Sequence, residues 1–144
     1  MTAASKWAAL ALAVAAAACG ARAPSADDPG AVADRFIDRY VVEADQRAAL
    51  ELADGVARTR LEDEMEQVRA VRGAGAPPSG ARPRVYWERV SLRTDGSRSR
   101  AVYDVRLSFS GDETRRHVLV SLTRRDRGWR VTSFVVRDGP AARR

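Results

Sequence analysis

RAVYDVRLSFSGDETRRHVLVSLT, residues 100–123, sets the architecture. Ala101, Tyr103, Val105 and Leu107 alternate with Val102, Asp104, Arg106 and Ser108. Val118, Val120 and Leu122 alternate with His117, Leu119 and Ser121. Period-two alternation predicts two strands, Arg100–Phe109 and Thr114–Thr123, each with one buried face. The intervening Ser110-Gly111-Asp112-Glu113 predicts a hairpin. A four-residue loop pairs Phe109 with Thr114, Leu107 with Arg116, Val105 with Val118 and Tyr103 with Val120. That register puts the apolar residues of both strands on one face.

The pattern extends both ways. Val85–Arg93 and Trp129–Val136 alternate likewise, and short glycine-containing connections, Asp95-Gly96 and Arg125–Gly128, join them to their neighbours. A four-stranded antiparallel β-meander follows. Val85 and Trp87 have one parity, Val90 and Leu92 the other, which predicts a β-bulge at Glu88-Arg89. A second parity break lies between Val131 and Phe134. The outer face is then expected to carry Val102, Leu119, Phe134 and Val136 among arginines, an apolar set that a second copy or a partner protein would cover. Arg137 and Pro140 blunt the last edge.

Residues 28–72 repeat with helical spacing instead. Asp28 is suited to cap a first helix and Pro29 to open it. Val32, Phe36, Ile37, Tyr40 and Val41 share its apolar face, with Asp34, Arg35, Asp38 and Arg39 opposite. A short second helix starts at Asp45 and carries Ala49, Leu50, Leu52 and Ala53 until Gly55 interrupts it. A third presents Ala57, Leu61, Met65, Val68 and Val71, pairs Arg58 with Glu62 and Arg60 with Glu64, and ends at Gly73. Its acidic run Glu62-Asp63-Glu64-Met65-Glu66 reads as a solvated face. Residues 73–83 are a loop. The fold class is α+β: N-terminal helices packed on a four-stranded antiparallel β-meander, a single domain over residues 29–138 with a basic tail at 139–144.

The N-terminus reads differently. Lys6 precedes twelve apolar residues, Trp7 through Ala18, and then Cys19-Gly20. A spanning helix needs about 18 apolar residues. A charged start, a short apolar run and small residues describe a secretory signal peptide over residues 1–18. Ala16-Ala17-Ala18-Cys19-Gly20 resembles the lipobox of bacterial lipoproteins. The resemblance implies cleavage before Cys19, a diacylglycerol on its sulfur and an acylated amino group. Cys19 is the only cysteine of the 144 residues, so no intramolecular disulfide can form and lipid accounts for the thiol. Residues 19–28 are then the lipidated cysteine and a flexible tether. The expected location is the bacterial cell envelope; Gly20, in place of an acidic retention residue, points to the outer membrane facing the periplasm.

Charge is uneven. Residues 27–66 hold 12 acids and 5 arginines, whereas residues 67–144 hold 18 arginines and 7 acids. Lys6 is the only lysine. Attraction to phosphate does not demand arginine to the exclusion of lysine, so this reads as a compositional bias, and no nucleic-acid partner is expected. Lipid headgroups and envelope polyanions remain open as contacts of the basic half.

Helices followed by a curved meander, with Phe36-Ile37-Asp38-Arg39-Tyr40 on the first helix and Gly128-Trp129-Arg130-Val131 opening the last strand, resemble the nuclear-transport-factor-two-like (cystatin-like) superfamily, particularly its small bacterial lipoprotein members. The resemblance spans residues 29–137 and implies a cone between helices and sheet that takes a small molecule, or a dimer surface. Phe36, Tyr40, Trp87, Tyr103, Phe109 and Trp129 are the candidate lining, with Phe134 beside them. Catalytic members often place a helix between early strands, an arrangement this chain lacks.

No chemistry-bearing motif stands out. His117, the only histidine, falls on the outer face opposite Arg106, with Asp104 diagonal to it. Without a second imidazole or a thiol nearby, no zinc site is expected, and no G-x-S-x-G is present. No cofactor is expected. Asp38, Tyr40 and Tyr103 are the residues for acid–base work of the isomerase or dehydratase kind, which needs a carboxylate in a dry pocket facing a phenol. Asp38 falls on the polar helix face. The primary expectation is a lipid-anchored, non-catalytic module that binds a small ligand or an envelope partner; the alternative is a small pocket enzyme.

Overall fold

The computed structural model describes residues 25–72 and 82–139. The expectations for the signal peptide, Cys19, the start of the tether, the Gly73 cap, most of the following loop and residues 140–144 lie outside the described residues. Among the described residues no helix is long and apolar enough to cross a membrane.

Helix α1 (Pro29–Ile37) starts as the sequence directs. The Asp28 carboxylate accepts from the backbone N–H of Gly30 (3.0 Å) and Ala31 (3.3 Å), and Pro29 needs no partner there. Beyond Ile37 the helix widens into a π-helical turn, Asp38–Val42, closed by the Glu43 N–H on the Asp38 carbonyl at 2.8 Å. Helix α2 (Gln46–Leu50) is capped by Asp45, which accepts from Ala48 N–H at 3.0 Å. Helix α3 is Gly55–Arg72. Its expected stripe is buried only at the start. Ala57 and Leu61 are sealed, Met65 and Val68 are half-buried, and Val71 is 88% exposed. The N-terminal half packs on α2 and the last strand; the C-terminal half runs past them.

Strands β1 (Arg84–Asp95), β2 (Arg98–Phe109), β3 (Asp112–Arg125) and β4 (Gly128–Asp138) form one antiparallel sheet in the order β1-β2-β3-β4. The α+β meander is as read from the sequence. Its registers differ in detail. The β2–β3 turn is Ser110-Gly111, because Phe109 pairs with Asp112, Leu107 with Thr114, Val105 with Arg116 and Tyr103 with Val118. Both turn residues have positive φ, as a two-residue hairpin requires. The slip is two residues, so faces are preserved while every cross-strand partner changes. One consequence is that His117 sits opposite Asp104, not Arg106.

The first bulge falls between Arg89 and Ser91, leaving Val90 unpaired, rather than at Glu88-Arg89. The second is at Thr132, since Ser121 pairs with Ser133 and Leu122 with Val131. This bulge turns Phe134 inward: it is 3% exposed and belongs to the core, with Val136 packed against that core. Neither lies on the outer face; Val135 takes that place, 38% exposed.

The edge of β4 is partly covered. Asp54 N–H donates to Val131 O (2.8 Å) and Val131 N–H to Leu52 O (3.0 Å), so the α2–α3 link adds a short parallel bridge at Ala53. Residues 25–28, read in sequence as the end of the tether, dock beside it. Trp129 donates its backbone N–H to Ala26 O (2.8 Å) and its indole to Asp27 O (3.1 Å). Gly128 permits this approach. It has φ of 101°, and a Cβ there would lie 2.6 Å from Ala26 O.

The core lies between α1 and the inner sheet face, where Phe36, Ile37, Leu61, Tyr103, Val105, Val118, Val120, Leu122 and Val131 are sealed from solvent. Each large apolar side chain contributes about 1.5–3 kcal/mol on burial. Polar bonds then fix the helix direction. Asp34 and Asp38 point toward β1 and β2 rather than to solvent. Asp34 accepts from the Tyr103 hydroxyl (2.8 Å) and from Arg89 Nη1 (3.0 Å); Asp38 accepts from the Trp87 indole (2.8 Å). Burial, then the bond to Asp34 and its charge, push the Tyr103 phenol well above the ordinary tyrosine range, partly opposed by Arg89.

Asp34→Ala removes the acceptor of a sealed hydroxyl and the partner of Arg89, so it is expected to destabilise by about 2–3 kcal/mol in urea unfolding, against about 1 kcal/mol for Tyr103→Phe. The Tyr103 contribution is complete below the ordinary tyrosine value of 10.0 and is lost as pH rises toward the higher folded value. The stability gap between wild type and Tyr103→Phe therefore narrows above that pH. A gap that widens instead overturns the assignment of this bond.

Candidate functional site

A cleft of about 430 Å³ opens where the π-helical turn leaves the sheet. Its floor is apolar: Val105 and Leu107 of β2, Val118 of β3 and Val136 of β4. Its walls are polar: Tyr40 and Gln46 from the helical side, Arg60 of α3, and Arg116 and Asp138 at the sheet end. Apolar floors with a few polar groups at the rim are the usual make-up of small-molecule pockets.

Tyr40 is the hinge of this wall. Its ring stacks on Phe36 (centroids 5.7 Å apart) and meets Phe134 edge-on (4.8 Å). Its hydroxyl donates to the Glu64 carboxylate at 3.0 Å. Burial, then the Glu64 charge and hydrogen bond, push its pKa up to about 12, with Arg60 pulling the other way. At neutral pH Tyr40 is a phenol whose proton is already committed. Arg60 is equally engaged. Its guanidinium lies over the Phe134 ring, 4.3 Å from the centroid, and donates to Glu64 (3.0 Å) and to the Phe134 carbonyl (2.9 Å). The i,i+4 spacing of Arg60 and Glu64 foretold their pairing; the carbonyl bond and ring contact depend on the Thr132 bulge that brings Phe134 inward.

Arg116 stands apart. It lies on the inner parity of β3, opposite Val105, and holds Asp138 at 3.5 Å with both side chains largely exposed. Exposed ion pairs contribute about 0–1 kcal/mol, so Asp138 holds Arg116 only weakly. An arginine sharing the parity of Val118, Val120 and Leu122 was a signal available in the sequence. Gln46 and Asp138 gave none.

The aromatic residues expected to line a common cone separate here. Phe36 and Tyr103 are sealed and Trp129 is 4% exposed, so these three fill space. Trp87 is half-buried and bonded to Asp38. Phe109, 50% exposed, stands at the β2–β3 turn beyond the reach of the helices. Among the six, Tyr40 alone lines this cleft. The acid–base trio is divided too: Asp38 holds Trp87, Tyr103 holds Asp34, and Tyr40 holds Glu64. His117 lies on the outer face, its Nδ1 2.6 Å from Asp104 Oδ1, with both residues exposed. Among the described residues no three His, Cys, Asp or Glu side chains gather as metal ligands.

No protein-family model matches the chain, and no curated protein matches it in sequence. Solved structures do match in shape. A protein of Thiobacillus denitrificans ATCC 25259, assigned as a calcium/calmodulin-dependent protein kinase type II association domain, superposes with a TM-score of 0.56 at 12% identity, over 76% of this chain and 94% of that chain. An NTF-2-like protein of unknown function from Silicibacter pomeroyi DSS-3 aligns over the same shares at 17% identity, with a TM-score of 0.43 too low to bear on the argument. At 12% identity the first likeness speaks to fold alone: helices packed on a four-stranded antiparallel sheet.

Proposed function

We propose that this chain is a bacterial envelope lipoprotein, anchored through acylated Cys19, whose α+β domain takes up a small ligand in the Tyr40–Arg116 cleft and performs no chemistry on it. The cleft carries the reading. Its apolar floor suits a hydrophobic body, and Arg116 suits an anionic end. Tyr40, with a pKa pushed up to about 12, serves as a hydrogen-bonding wall and not as a proton carrier. The anchor rests on the sequence: the short apolar run closed by Cys19, and the absence of any other cysteine for it to pair with. Two or more acyl chains hold a domain stably on a bilayer.

Two measurements test it. Mass spectrometry of the membrane-extracted chain is expected to find Cys19 as the first residue with acyl mass added, and Cys19→Ser is expected to move the protein out of the membrane fraction. An unmodified Cys19 overturns the anchor. For the cleft, 1-anilinonaphthalene-8-sulfonate, an apolar body bearing one anionic group, is expected to bind saturably to a single site. Leu107→Trp, which fills the floor, and Arg116→Gln, which removes the charge, should each weaken that binding about tenfold or more. Binding indifferent to both variants overturns the cleft as the site.

A further inference from the structure

A second concavity, of about 990 Å³, lies at the other end of the sheet, beside the β1–β2 turn. Register places Arg93 of β1 directly opposite Arg100 of β2, with Ser121 of β3 next in the row. Asp95, Arg98 and Thr123 form the following outward row. Like charges directly opposite on neighbouring strands repel. Elsewhere on this sheet Arg89 holds Asp34 (3.0 Å), Arg115 holds Glu113 (3.2 Å) and Arg116 holds Asp138 (3.5 Å), so where Arg106 likewise faces Arg115 across β2 and β3, one of the two has a carboxylate. Arg93, Arg98 and Arg100 form no ion pair among the described residues, not even with Asp95, which shares their groove. All three are exposed.

The facing wall is made of hydroxyls. The β4 bulge carries Thr132 over β3, where its hydroxyl donates to the Ser121 carbonyl (3.3 Å) and lies 3.4 Å from Thr123 Oγ1. Ser121, Thr123 and Thr132 are half-buried and all line the groove. No aromatic residue lines it, so nothing there would stack a nucleobase.

We propose that this groove binds the phosphate ester of a polyol. The phosphate sits between Arg93 and Arg100, whose planar guanidinium forks match its oxygens and whose mutual repulsion it relieves. The hydroxyls of the ligand exchange hydrogen bonds with Ser121, Thr123 and Thr132, each of which both donates and accepts. The volume is several times what inorganic phosphate needs and fits a sugar-sized ligand. The site is independent of the cleft: the two share no lining residue.

Calorimetric titration of the full chain in detergent tests this with four probes: glucose 6-phosphate, glycerophosphoglycerol (the deacylated headgroup of phosphatidylglycerol), glucose and inorganic phosphate. One or both phosphate esters are expected to bind saturably, at least about tenfold more tightly than glucose or inorganic phosphate; which of them binds better separates a free sugar phosphate from a lipid headgroup as the source. The double variant R93Q/R100Q is expected to abolish this binding, while Arg137→Gln on the same sheet and Leu107→Trp in the cleft leave it unchanged. The single variant Arg100→Gln is expected to lose binding with an unchanged or raised Tm, because one of two repelling charges is gone. The proposal is overturned by failure of both esters to bind, by inorganic phosphate binding as tightly as the esters, or by an equal loss in Arg137→Gln.

Discussion

Two carboxylates, one turn apart on α1 and at the start of the π-helical turn that continues it, determine how the helix lies across the sheet. Hydrophobic burial is non-directional, so the packing of Phe36 and Ile37 alone would accept a range of helix angles. Asp34 and Asp38 remove that freedom by bonding Tyr103, Arg89 and Trp87 on two adjacent strands. A half-satisfied version would be costly, since the Tyr103 side chain is sealed and, among the described residues, its hydroxyl donates to Asp34 alone. With the helix held at that end, its widened turn carries Tyr40 away from β1 and toward β4, where it meets Phe134 and Glu64. The cleft is the space left between that turn and the end of the sheet.

The two bulges act on the same geometry from the sheet side. Without the extra residue at Thr132, the parity of β4 would continue unbroken from Val131 and Phe134 would face outward. Arg60 would then lose both the ring beneath it and the carbonyl it bonds, and the wall of the cleft would have no backing. The same residue, turned the other way, brings the Thr132 hydroxyl over Ser121 and Thr123 on the far side. One insertion in one strand therefore shapes a concavity at each end of the sheet.

Element type and order were legible because periodicity reports burial directly: alternation from Val85 to Val136, and helical spacing from Val32 to Leu61. Face assignments survived even where the β2–β3 register slipped, because a shift of two residues leaves parity intact. Three things were not legible. Asp34 and Asp38 look like solvent-facing residues on a helical wheel, and only the position of β1 shows that the wheel's polar side meets the sheet edge. The stripe on α3 continues to Val71 in the sequence, but the length of the surface beneath it is a tertiary property. The exposure of Phe109 follows from the same limit, since parity says which face a residue is on and not whether anything covers that face. The parity break near Val131 was visible, but the position of the bulge decides whether Phe134 is core or surface, and several positions satisfy the same pattern.

The arrangement of arginines across this sheet now has a physical interpretation that composition could not supply. An arginine-rich chain can distribute its charges so that each meets a carboxylate, as Arg89, Arg115 and Arg116 do. Arg93 and Arg100 instead stand face to face and exposed, with no carboxylate bound to either among the described residues, and like charges so placed oppose the pairing of their strands without improving the packing. Residues that reduce stability and contribute nothing to the core are expected where a ligand supplies what is missing. By the same reasoning Asp38, Tyr103 and Glu64 are poor candidates for chemistry. Each is satisfied by a partner within the fold, and a group whose hydrogen bond holds the architecture together has little freedom to make and break bonds with a substrate.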